Sequence, residues 1–150
     1  MNSSESSARG LLQLAYERAI YEVYLDRETV QFQIGDCIQP LDLLLGQQDC
    51  NTWSLITAYN PCSQCLSATV NQQRHQQLAE RVKNLRLAHL DAAGTDPDGI
   101  WQPELSLLVL GIERETAIAL GRTFQQNAIV CGAIRQPAEL VWLDSKSTQQ

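Results

Sequence analysis

A chain of 150 residues that is 44% hydrophobic and 19% charged carries enough apolar material for one folded core and does not have the composition of a disordered chain. Its formal net charge of −6 argues against a nucleic-acid binder, which must neutralise phosphates with Lys and Arg, and against an anionic lipid surface. No apolar run approaches the roughly 18 residues of a membrane span, and Met1 to Ser7 lacks the basic and apolar regions of a secretory signal, so a cytoplasmic protein is expected.

Residues 1–8 and 145–150 read as short disordered tails around a single domain at 9–144. Leu12, Tyr16, Ala19 and Val23 recur at spacings of three and four and predict a helix over 9–26. Thr29 to Ile34 alternates, with Val30, Phe32 and Ile34 on one side, as a half-buried strand does. Cys37 to Cys50 is read as a loop or a single helical turn that buries leucines. Trp53 to Ala58 is an apolar strand, stopped by Tyr59-Asn60-Pro61 because proline donates nothing to a ladder and pushes the residue before it away from helix. Val70 to Leu85 has helical spacing, with Ser67 or Thr69 as its cap. Arg81, Lys83 and Arg86 near its end suit the helix dipole better than a phosphate patch.

Leu87 to Leu90 predicts a strand, and Gly94 to Gly99 a turn. Leu105 to Leu110 is continuously apolar and so predicts a central strand covered on both faces. A helix is expected over 113–126 and final strands over 128–131 and 138–143. The order α-β-β-α-β-β-α-β-β contains two strand-turn-helix-strand units, at Trp53 and at Leu105. It predicts an α+β fold: a mostly antiparallel sheet with helices on one face, a split β-α-β (ferredoxin-like) core, an N-terminal helix and an extra strand.

Five cysteines in a cytoplasmic chain point to thiols or metal ligands before disulfides. Cys62 and Cys65 have the two-residue gap that lets two sulfurs face one ion, and Cys37 and Cys50 flank the preceding loop. Together the four would make a tetrahedral zinc site, although two close pairs are the usual spacing and only one is present. Simple thiols are the leading reading, with no cofactor. Asp91, Asp96 and Asp98 are explained by turn chemistry without calcium. His75 and His89 have no local partner that marks a triad or a ligand pair.

Four strings belong together: Ile56-Thr57-Ala58-Tyr59-Asn60-Pro61, Asn71-Gln72-Gln73-Arg74, Trp101-Gln102-Pro103-Glu104 and Gln126-Asn127-Ala128-Ile129-Val130. On these the chain resembles a bacterial and cyanobacterial domain family of unknown function, from about Ala15 to Leu143. The resemblance implies no activity, and the Cys62–Cys65 pair departs from its usual pattern. In the residues themselves, polar groups at strand ends and helix starts can converge on one cleft. Tyr59, Asn60, Asn71, Arg74, Trp101, Glu104, Gln126 and Asn127 are the candidate ligand-binding residues, and the competing reading is that they cap and pair with one another. No catalytic residue is assigned.

The expected function is therefore a small binding or regulatory module without enzymatic activity, meeting another protein or an anionic small molecule. One alternative is an enzyme that grips an anion with Arg74 and uses Glu104 as acid or base. The other is an interaction domain stabilised by zinc at Cys37, Cys50, Cys62 and Cys65.

Overall fold

The computed structural model describes residues 3–143. Among them the elements are α1 (Ser3–Arg18), β1 (Ile20–Tyr24), β2 (Thr29–Phe32), α2 (Gln39–Gln47), β3 (Thr52–Thr57), a 3-10 turn (Pro61–Ser63), α3 (Ala68–Asn84), β4 (His89–Thr95), β5 (Glu104–Leu110), α4 (Arg114–Thr123), β6 (Ala128–Ala133) and β7 (Glu139–Trp142). The strands form one sheet in the order β2-β1-β4-β5-β3-β6-β7, and every neighbouring pair is antiparallel. The fold is α+β, and β5 lies at the middle of the sheet.

Several elements differ from expectation. The first helix begins at Ser3 and stops at Arg18, and Ile20–Tyr24 is a strand. Tyr21 and Val23 are buried and alternate with Ile20, Glu22 and Tyr24, so a period of two, with aromatic and β-branched residues, outweighs the helical spacing of Ala19 and Val23. Ser3 to Ala8, read as part of a tail, therefore lie in α1, while residues 1–2 and the expected tail at 145–150 fall outside the described residues. The segment read as a loop or one turn is the helix α2. Pro40 sits in its first turn, where no N–H is needed, and Leu41 and Leu45, four residues apart, are buried. β4 also runs further than expected, to Thr95. The turn after it is held by the Asp96 carboxylate, which accepts from the backbone N–H groups of Asp98, Ile100 and Trp101.

The helices do not all share one face. Leu78 and Val82 of α3 and Ala117 and Leu120 of α4 pack with Ile56, Leu107 and Ile129 on one side of the sheet. Leu41 and Leu45 of α2 pack on the other, with Tyr21, Phe32, Trp53, Leu55 and Leu108. The long apolar run of β5 follows from this: Leu107 and Val109 serve one core, Leu108 and Leu110 the other.

The sheet is also curled. Beyond β2, the Gly35 N–H donates to the Ala138 carbonyl, and the Ala138 N–H donates to the Asp36 carbonyl, both at 2.8 Å. The segments next to the two outermost strands thus meet at one end, and the sheet curls round its concave face. α1 lies against β7, where the Trp142 indole N–H donates to Gln13 Oε1 at 2.8 Å, Arg9 stands over the indole and the Tyr16 ring meets its edge.

Candidate functional site

The site is built where β3 ends. Asn60 adopts the left-handed conformation (φ 48°), and so do Cys62 (φ 52°) and Ser63 (φ 61°) just after it. Asparagine tolerates this region well, but cysteine and serine do so less readily, and backbone held in this way needs surrounding bonds to fix it. Those bonds are present. Asn60 N–H donates to Asn71 Oδ1 at 2.9 Å, while Asn60 Oδ1 accepts from Asn71 Nδ2 at 2.8 Å and from the Leu66 N–H at 3.0 Å. The Cys62 N–H donates to the Gln125 carbonyl. Asn71 sits in the first turn of α3, where its side chain is buried and pinned to the β3 end.

The network extends to Glu104, the first residue of β5. Asn60 Nδ2 donates to its Oε2 at 2.7 Å. The acid faces a cavity of about 280 Å³ inside the curl of the sheet. Leu12 from α1 and Ala19 just after it, with Leu55 and Val130 from the sheet, form apolar wall; Tyr16, Asn60, Ser63, Glu104 and Asn127 supply polar groups, and Trp101 adds a ring. Asn127 Nδ2 donates to Ser63 Oγ at 2.8 Å. Burial pushes the Glu104 carboxyl up from its ordinary pKa, and the Asn60 bond offsets part of that rise. Burial likewise pushes the Tyr16 phenol up to about 12, with the Glu104 charge adding to the shift and Asn127 and Ser63 opposing it.

Residues 56–129 match the model of a family described as Protein of unknown function (DUF3293). The matched segment contains the whole Asn60–Asn71–Glu104 network together with Trp101, Gln126 and Asn127, whereas α1, with Tyr16, precedes it. No curated protein and no solved structure matches the chain.

Of the eight residues expected in a cleft, Asn60, Trp101, Glu104, Gln126 and Asn127 line the cavity; Tyr59, Asn71 and Arg74 do not. Asn71 acts one layer behind, through Asn60. Tyr59 meets the His75 ring edge-on at 6.4 Å, and its carbonyl accepts from Gln126 Nε2 at 3.0 Å. Arg74 donates through Nε to the Ala58 carbonyl at 2.7 Å and through Nη2 to the Phe124 carbonyl at 2.5 Å. Its guanidinium ties the end of β3 to the end of α4, away from the cavity lining.

The cysteines do not converge either. Among the described residues no group of three or more His, Cys, Asp or Glu is placed to hold a metal ion, so Cys37, Cys50, Cys62 and Cys65 do not form the four-thiolate set considered. The reason lies in the topology: α2 separates Cys37 from Cys50, and all of β3 separates Cys50 from Cys62. The cysteines are free thiols, and Cys65 lines the cavity. Two site groups were not singled out from sequence. Ser63 carried no signal beyond its turn, and Tyr16 looked like an ordinary core position on a helical face. A hydroxyl-bearing ring in an otherwise aliphatic stripe was the available hint.

A pH dependence follows from Glu104. Its carboxyl holds its proton more tightly folded than unfolded, so the folded state binds more protons and stability falls as pH rises through the interval between the unfolded and folded pKa values. Glu104→Gln, which keeps an oxygen for Asn60, is expected to raise the melting temperature at pH 7 and to flatten the pH dependence from pH 4 upward. Calorimetry of the two proteins across that range checks it; equal slopes would show that the carboxyl is not desolvated.

Proposed function

We propose that the chain is a small, non-enzymatic binding module whose ligand is a small molecule with an apolar body and a polar end, held inside the curl of the sheet. The observation that carries this reading is the cavity itself, apolar over most of its wall and lined by the Tyr16, Ser63, Glu104 and Asn127 side chains at its polar positions. The left-handed backbone at Asn60, Cys62 and Ser63 supports it, because strained backbone collects at binding sites. Catalysis by Glu104 on an anion is less well supported: the perturbed carboxyl is there, but Arg74 is committed to two carbonyls. A cytoplasmic setting agrees with five free thiols.

A ferredoxin-like core belongs to the same proposal. Its support is the inner strand order β4-β5-β3-β6, with α3 joining β3 to β4 across β5 and α4 joining β5 to β6 across β3. β1, β2 and α2 extend that core and turn its open face into the wall of a container.

The test is an NMR titration with 2-phenylethanol, a neutral probe with an apolar ring and one hydroxyl. Amide shifts confined to Leu55, Ser106, Val130 and their strand neighbours are expected at millimolar probe. Unchanged spectra at these positions would overturn the reading.

A further inference from the structure

The cavity lining is chemically one-sided. Among the described residues that line it there is no Lys, Arg or His, while Glu104 contributes a carboxyl and Tyr16, Tyr21 and Trp101 contribute aromatic rings. The carboxyl is under-served: Oε2 accepts from Asn60 Nδ2, and Oε1 accepts no hydrogen bond from a described side chain or backbone group. A partly buried carboxylate inside a largely apolar cavity gains from a cation or further donors that reach it. Asn60 Oδ1 accepts from Asn71 and the Leu66 N–H, which fixes the amide with its Nδ2 toward the carboxyl. An anionic ligand would place a second negative charge against this acid with no basic side chain to offset it. A neutral ligand would leave the acid as it is. A cationic ligand would supply the missing partner, and aromatic rings such as those in the lining attract cations as well.

We propose that the ligand of this cavity is an organic ammonium: a protonated amine on an apolar body, with its nitrogen at Glu104 and its body among Tyr16, Trp101, Leu55 and Val130. This rests on the binding-module reading and gives it a charge class. Glu104 is the ion-pairing group, the aromatic rings hold the cation's carbon-bound face, and Asn60 and Asn71 are positioning residues that fix the carboxyl. The raised pKa of the Glu104 carboxyl fits, because a group without a cationic partner takes up its proton more easily, and an ammonium would reverse that.

Three probes with the same ring separate the possibilities: 2-phenylethylamine, 2-phenylethanol and 3-phenylpropionate, titrated at pH 7 against the full chain. The amine is expected to bind about tenfold tighter than the alcohol, a difference of about 1.4 kcal/mol, and the carboxylate weakest of the three. In Glu104→Gln the amine-to-alcohol ratio is expected to fall to about one, and in Trp101→Leu to fall about threefold. An amine that binds no tighter than the alcohol, or an advantage that survives in Glu104→Gln, overturns the charge class while leaving the binding module intact. Failure of all three probes to bind overturns the module itself, and the ammonium ligand with it.

Discussion

Gly132→Ala is expected to destabilise the protein by about 3 kcal/mol or more, near the upper end of what overpacking does. Gly132 lies on β6 directly opposite Trp53 on β3. A Cβ there would fall inside the indole, against Cε2, Cζ2 and Nε1. The indole has nowhere to go: it is buried, 2% exposed, and its ring meets the Phe32 ring edge-on at 5.5 Å. Glycine inside a strand ordinarily weakens it, and here the bare backbone is the floor on which a large aromatic rests. Urea unfolding checks the expectation. For a chain of this size the melting temperature should drop by roughly 10 °C. Trp53→Leu alone should also destabilise, but Trp53→Leu with Gly132→Ala should cost less than the sum of the two, because the smaller side chain removes the overlap. A loss below about 1 kcal/mol for Gly132→Ala would mean that the indole has another place to sit.

Arg74→Met is expected to cost about 3 kcal/mol through two carbonyls left without their donor. The Ala58 carbonyl belongs to a fully buried residue, and the Phe124 carbonyl keeps only the longer Gln126 bond at 3.2 Å. Met keeps most of the stem's length, so the loss reports the hydrogen bonds. Arg74→Lys should recover less than half, since one ammonium cannot present the fork that reaches two oxygens on different elements. Folded Arg74→Met protein should still bind the cavity probes with little change in affinity, because the guanidinium does not line the cavity. A large loss of probe affinity with unchanged stability would restore the anion-grip role.

Much of the fold was legible because hydrophobic period and turn chemistry agreed locally. Leu105 to Leu110 announced a central strand, and Tyr59-Asn60-Pro61 marked where β3 ends. Ile20–Tyr24 was hidden because Ala19 and Val23 also satisfy helical spacing, and only pairing with β2 and β4 decides between the periods. α2 was hidden by its brevity and by its opening proline, which serves equally as a loop signal and as a first-turn residue. The opposite-face position of α2 could not be read at all, since which side a helix covers depends on the path of the chain.

For the site, the strings around Asn60, Asn71 and Glu104 marked polar residues at element ends, and the structure brings those three together. The carbonyl partners of Arg74 are not legible in sequence, because spacing places a side chain at a helix start but does not give the direction of its guanidinium. Tyr16 reads as core in sequence because its polar neighbours, Ser63 and Asn127, come from distant loops and are absent from its own helix.

The meeting of the sheet's two ends has a consequence for how the molecule behaves in a crowd. An antiparallel sheet normally offers a stranger two open rows of backbone on which to add another strand. Here Gly35 and Asp36 are already bonded to Ala138, so a foreign strand growing along β2 runs into the molecule's own seam within a few residues of Phe32. The same bonds that shape the container thus blunt its exposed margins against templated self-association.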